Sequence, residues 1–334
     1  MNKSQAIKKL CEAIRLKHMA YSTERTYAHW AGRYCDHIAG SPKGTPSRTQ
    51  IESFISGLAK DASASTQNQA FNAIIFLYKH VLHLDPGEIN ALRAKRGTRI
   101  IAVPTQAQMT DLLMLVEDVH QYPTRLIVHL LYGCGLRVNE PLNLRVKDVD
   151  LVRGRLEIRD GKGNKDRVVA IPKPLADPVK RQIDLAACLW DRDRRNGIPV
   201  PLPHRLSHKY PSACYALPWY WVFPAHKPCR HPRTGETVRW RCHESNIQRA
   251  VRKAARAIGA TSLITPHILR HAYATHAIER GANVRDVQAA MGHKHLDTTM
   301  RYITPDAMRV ASPIEGAPAN PPTAQSPAKV RSVS

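Results

Sequence analysis

The chain has 334 residues, with 50 Lys plus Arg against 27 Asp plus Glu and a formal net charge of +23. That length exceeds the usual single domain and suggests two, each able to bury its own core, while so large a positive excess points to a polyanionic partner, nucleic acid ahead of acidic lipid. No apolar run approaches the roughly 20 residues of a membrane span, and the start carries no secretory apolar core, so a cytoplasmic protein is expected. Cys11, Cys35, Cys134, Cys188, Cys214, Cys229 and Cys242 are scattered without paired spacing and are expected as reduced thiols.

Residues 1–92 read as an all-helical domain. Ser22 is placed to cap a helix whose Tyr27, Trp30, Tyr34 and Ile38 share one face. A second helix is expected after Ser47 with Ile51, Phe54, Ile55 and Leu58 as its stripe. A third runs from Ser65 through Phe71, Ile74, Ile75, Leu77, Tyr78 and Val81 and stops at Asp85-Pro86-Gly87. Lys60, Gln67, Asn68 and Lys79 would be exposed, suited equally to DNA or to a solvated face. Residues 93–103, with Arg93, Lys95, Arg96 and Arg99 around Gly97, read as a basic linker able to lie along phosphates.

Residues 104–311 read as a second domain of mixed helix and strand. Helical patterns cover 105–118 and 124–132. Residues 155–159 and 167–171 alternate as strands around the turn chemistry of 160–165, a β-hairpin with lysines at its tip. The stretch 186–245 is rich in Pro, His, Arg and aromatics and its pattern assigns no backbone; residues 219–223 are its apolar island. Helices resume over 245–258. Thr265 as N-cap, Pro266 in the first turn and Gly281 past the end bound another. A further helix follows Asn283 with Asp286 in its first turn and Gly292 after it, and a short one starts at Asp297. Residues 312–334 are Pro-rich and expected to be disordered.

His267 and Arg270 sit three apart near the start of the Thr265-Pro266 helix, with His271 four from His267, so they share a face where free backbone N–H groups favour an anion. Alone this would be a weak signal, better read as a helix with two satisfied histidines. Downstream come Met291-Gly292-His293 and then Tyr302; upstream lies Gly135-Leu136-Arg137-Val138-Asn139-Glu140, and the hairpin tip supplies Lys162. Gly-Leu-Arg-x-x-Glu, Gly-Lys-Gly-x-Lys-x-Arg, His-x-Leu-Arg-His, Gly-His and Tyr, in this order, resemble the tyrosine recombinases over about residues 5 to 310. The resemblance implies an active site of Arg137, Lys162, His267, Arg270, His293 and Tyr302, with Lys162 favoured over the nearby Lys165. It also implies an all-α core-binding (SAM-like) domain before a mixed α+β catalytic domain, and four protomers synapsing two DNA sites.

The chemistry suits these groups. A phosphodiester gains charge on its non-bridging oxygens in the transition state, which two guanidiniums, Arg137 and Arg270, can bind. Tyr302 as nucleophile conserves the bond energy in a phosphotyrosine. Lys162 can protonate the leaving 5′ oxygen, and His267 or His293 can orient phosphate oxygens and exchange protons with the tyrosine, so no metal or other cofactor is expected. Pro141 departs from the family pattern; it suits the first turn of a helix but would distort the Arg137 site one turn later.

Residues 202–211 and 219–224 resemble the additional segment of integron integrases, which grips bases protruding from a folded single-stranded site. Trp219 would stack on such a base, or pack in the core. Pro232 matches that family, while its usual His-His pair reads Trp240-Arg241 here; Arg239, Arg241 and His243 keep the polar character, and with Lys165 they complete the expected DNA contacts. The implied partners are a folded single-stranded cassette site (attC) and a platform site (attI). A conventional Xer- or phage-type recombinase acting on duplex sites and a catalytically silent DNA-binding protein are the alternatives. A zinc site from His226, Cys229, His231, Cys242 and His243 matches no common tetrahedral spacing.

Overall fold

The computed structural model describes residues 2–42, 44–90, 102–119, 122–159, 166–203, 206–260 and 264–292. The chain divides into two compact units, Met1–Ile100 and Ile101–Ser334. Most of the basic linker, the lysine turn at 160–165, the helix expected at Asp297, the 312–334 tail and the positions of Lys162, Lys165, His293 and Tyr302 lie outside the described residues.

In the first unit α1 (Lys3–Leu16) opens on a reciprocal cap between Asn2 and Gln5 and buries Ala6, Leu10 and Ile14. In α2 (Tyr21–Ala39) the N-cap is Ala20, without a side-chain bond; Ser22 lies inside the first turn, where its carbonyl accepts from the Thr26 hydroxyl at 2.9 Å. The expected Ser22 cap is therefore corrected. The aromatic face is core: Trp30 and Tyr34 are buried, and Tyr27 and Ile38 pack against them. α3 (Ser47–Leu58) carries its stripe inward as expected. Ser63, two residues before the expected start, caps α4 (Ala64–Leu77), which widens into a π-turn over Tyr78–Leu82. There the Tyr34 and Tyr78 hydroxyls meet at 2.8 Å. Gln67 does not join an exposed polar face; it is buried and donates to the Ala62 carbonyl at 3.3 Å.

The second unit begins with α5 (Gln106–Leu115) and α6 (Thr124–Gly133), followed by the single turn α7 (Asn139–Leu142). Strands β1 (Val149–Asp150), β2 (Arg155–Ile158) and β3 (Arg167–Ala170) form an antiparallel sheet in that order, with Ile158 paired to Arg167 at the turn end of the hairpin. α8 (Lys173–Arg195) runs 23 residues and was not legible, because Pro174 and Pro178 and a mostly charged surface obscure its buried Val179, Gln182, Ala186 and Asp193. After it come the short α9 (Leu206–Lys209) and a small hairpin of β4 (Cys229–Arg230) and β5 (Thr237–Val238). α10 (Glu244–Ala257), α11 (Pro266–Glu279) and α12 (Val284–Met291) finish the described unit, with Thr265 and Asn283 as caps and Gly292 left-handed at φ 64°. The main core joins Ile127, Leu131, Leu136, Leu156, Val222, Phe223, Val251 and Leu269, while Trp219, Tyr220 and Trp221 pack in a second cluster with Ala186 and Val200, so the 219–223 island is divided between two interiors. Among the described residues no helix is long and apolar enough to cross a membrane.

Candidate active site

The turn after α6 needs glycine at 135: φ is +61°, and a Cβ there would lie 2.4 Å from the Tyr273 ring on α11. This close approach brings the Gly135 carbonyl to Arg270. Arg270, only 2% exposed, donates from Nη1 to that carbonyl and from Nη2 to the Met291 carbonyl, each at 2.5 Å. One guanidinium thereby ties the loop before α7 to the end of α12.

Arg137 donates its backbone N–H to Glu140 Oε2 at 2.7 Å and Nη1 to Glu140 Oε1 at 2.8 Å; its side chain stays 27% exposed. Arg167 on β3 forks onto both Glu140 oxygens, at 2.8 and 2.6 Å, and Arg270 Nη1 lies 3.9 Å from Oε2. Three guanidiniums thus surround one carboxylate and leave a positive excess. Burial pushes the Glu140 carboxyl upward, but the hydrogen bonds and charge of Arg167 and the bonds from Arg137 outweigh it, so the group sits below the usual carboxylate range. Pro141 is the third residue of α7, in the first turn where its missing N–H forfeits no helical bond.

On α11 the exposed His267 meets the buried His271 edge-on, with ring centroids 4.4 Å apart. Arg137, His267 and Arg270 of the expected catalytic set are described, and Glu140, bonded to Arg137 and 3.9 Å from Arg270, brings the two arginines together. Glu140 and Arg167 both stand in the sequence motifs, but nothing in the sequence marks the fork between them. The one signal for Arg167 itself is its place at the end of the Gly-Lys-Gly-x-Lys-x-Arg pattern.

Beside Glu140 opens a cavity of about 370 Å³ lined by Trp219, Trp221, Trp240, Arg145, Arg241 and His231, among others. Arg145 lies over the Trp221 ring, 3.1 Å from its centroid, and donates to the carbonyls of Trp219 and Pro201, both at 2.7 Å. Burial pulls its guanidinium down to about 9, with nearby Arg241 adding to the effect, which still leaves it charged at neutral pH. Trp219 is half-buried, with the Lys147 ammonium 4.3 Å from its ring centroid. Arg241 reaches Asn139 Oδ1 at 3.3 Å and so links the cavity to α7.

Arg239 is corrected. It is 1% exposed, forks onto Asp193 at 2.6 and 2.7 Å and donates to the Ala225 carbonyl, so its charge is consumed inside the protein. Tyr220 completes that cluster by donating to Asp193 at 2.5 Å. Pro232 is exposed in the β4–β5 turn, and the exposed His243 caps α10 by accepting from the Ser245 N–H at 3.2 Å. Cys242 is buried while Cys229 is exposed, and among the described residues no cluster of three His, Cys, Asp or Glu could hold a metal ion.

The pattern of the phage integrase family matches residues 103–309, and that of the phage integrase N-terminal SAM-like domain matches residues 7–88. The chain belongs to the phage integrase family. This family member is a tyrosine site-specific recombinase, an enzyme of DNA strand cleavage and religation. An integrase/recombinase of Escherichia coli is 35% identical to it over 321 residues, 94% of each chain. Tyrosine recombinase XerA of Pyrococcus furiosus is 26% identical over 321 residues, also 94% of each. A lambda integrase dimer bound to a core site shares the fold, with a TM-score of 0.60 at 13% identity over 91% of this chain and 96% of that one. An N-terminal SAM-like domain followed by a catalytic domain of helices and small antiparallel sheets is thus the architecture of this recombinase.

Proposed function

We propose that this recombinase inserts and excises gene cassettes as an integron integrase, acting on a folded single-stranded cassette site and a platform site. In this reading Arg137 and Arg270 hold the non-bridging oxygens of the scissile phosphate, and the Tyr302 oxygen attacks phosphorus. The bond to the 5′ oxygen breaks, Lys162 supplies the proton to that oxygen, and a 3′-phosphotyrosine forms. His267 and His293 orient the phosphate and take up the tyrosine proton. The reverse attack by a 5′ hydroxyl from the other site rejoins the strands without a nucleotide cofactor or metal. The convergence of Arg137 and Arg270 on one carboxylate that cannot neutralise them both supports this step.

The single observation that favours a folded single-stranded site is the tryptophan-lined cavity beside Glu140, whose size suits a flipped nucleobase. Trp219 would stack on the base, with Arg241 at the cavity wall and Pro232, His243 and Lys165 on the surrounding DNA. Residues 1–92 would clamp DNA, 93–103 would follow its phosphates, and 104–311 would catalyse, in a cytoplasmic homotetramer on two synapsed sites. A duplex-site recombinase is the second reading, favoured by the likeness to tyrosine recombinase XerA along 94% of the chain.

A labelled site offered as duplex and as each folded strand distinguishes them. A denaturant-resistant adduct on one folded strand, lost in Tyr302→Phe, is expected; an adduct on duplex alone selects the second reading, and no adduct on any site refutes covalent catalysis.

A further inference from the structure

We propose that Arg167 is a positioning residue of the phosphate site, holding Glu140 and the end of α12 so that Arg137 keeps guanidinium donors for the scissile phosphate. The inference rests on the recombinase reading above. Arg167 opens β3 with a side chain 10% exposed. Its Nε donates to the Ala290 carbonyl at 2.8 Å, and its two Nη atoms take both oxygens of Glu140 at 2.8 and 2.6 Å. Each of its three guanidinium nitrogens thus makes a bond inside the protein.

The fork matters for Arg137. A carboxylate facing a single arginine favours the two-pronged pair, which would take both Arg137 Nη groups. Here Arg167 holds that position, and Arg137 is limited to one side-chain bond with Glu140; its Nη2 only approaches the Gly292 carbonyl, at 3.5 Å. The carboxylate is also divided among several cations, which leaves Arg137 with charge to offer an anion.

A second contact runs the same way. Gly292 has φ +64°, and a Cβ there would come to 3.0 Å from Arg167 Cδ, so the backbone ending α12 lies against the Arg167 stem. Arg167 therefore joins the start of β3, α7 and the end of α12. A lysine at this position keeps the charge, but a point ammonium does not reproduce three directed donors in one plane.

The test compares wild type with Arg167→Lys and Arg167→Gln in single-turnover adduct formation on the site that wild type cleaves. The site carries either its natural scissile phosphodiester or a neutral methylphosphonate at that position, and rates are normalised to DNA-binding-competent protein. Both variants should lose about 10- to 100-fold in rate on the phosphodiester while Kd moves by no more than about twofold. On the methylphosphonate, where there is less charge to hold, the deficit should shrink to about threefold or less. Equal deficits on the two substrates would reduce Arg167 to a structural strut, and undiminished rates would remove its role altogether; both overturn the inference and leave the recombinase reading standing. Absence of a wild-type adduct on every site defeats that reading and this inference with it.

Discussion

The arginine cluster around Glu140 and the tryptophan cavity beside it are neighbours in one unit, yet they are built on opposite principles. In the cluster, polar groups are committed to one another and to backbone carbonyls, so a small displacement breaks several bonds at once. In the cavity, aromatic rings make up the wall and meet cations and a histidine ring, Arg145 over Trp221, Lys147 over Trp219 and His231 beside Trp240, while Asp193 with Arg239 and Tyr220 forms a buried polar cluster of its own. The first arrangement suits one charge in one geometry; the second suits a flat ligand of loosely defined identity.

The largest expected effect breaks the buried Asp193 cluster. Asp193→Asn leaves Arg239 buried without its counter-charge and should cost about 3–5 kcal/mol of stability, read from denaturant unfolding. Next comes the cluster itself: Arg270→Lys should lower the single-turnover cleavage rate about 10²–10³-fold on every substrate, folded or duplex, with little change in overall affinity. Trp219→Ala sharpens the comparison from the other side. It should weaken binding of a folded single strand by about 1–3 kcal/mol while leaving duplex binding within experimental error, measured as paired titrations at one salt concentration. Equal losses on both would show that the cavity does not read an extruded base.

The smallest effect is one of pH. Glu140 is held below its unfolded value, so its contribution to stability is complete above the ordinary carboxylate range of about 4.3 and disappears as pH falls through the lower folded value. The acid limb of the wild-type stability profile should therefore be steeper than that of Glu140→Gln, which has no such proton to bind. Parallel acid limbs would mean that Glu140 does not titrate with folding.

Sequence and structure met unevenly across the molecule. The helices of the first unit, the hairpin strands and the caps at Thr265 and Asn283 follow from periodicity and local chemistry, and the structure places them within a few residues of where those signals lie. The start of α2 was misread at Ser22 because a serine inside a first turn has the same local sequence as one just before it. Gln67 read as surface because its inward bond is to Ala62, five residues back across the α4 cap. The 23-residue α8 escaped because its apolar face is narrow and its prolines lie within two turns of its start.

By itself the sequence determined the family and the order of the domains, because those signals lie in short motifs and in periodicities that a chain carries wherever it folds. Tertiary structure alone decided which charges are available. Arg239 and Arg241 lie two residues apart and looked alike; one is consumed by Asp193, from 46 positions earlier, and the other lines the cavity. Arg137 and Arg167 are likewise both motif arginines, yet only the fold shows that Arg167 forks onto Glu140 while Arg137 makes a single side-chain bond to it and stays partly exposed. The free energy of a charge depends on what surrounds it in space, and residues distant in sequence supply those surroundings.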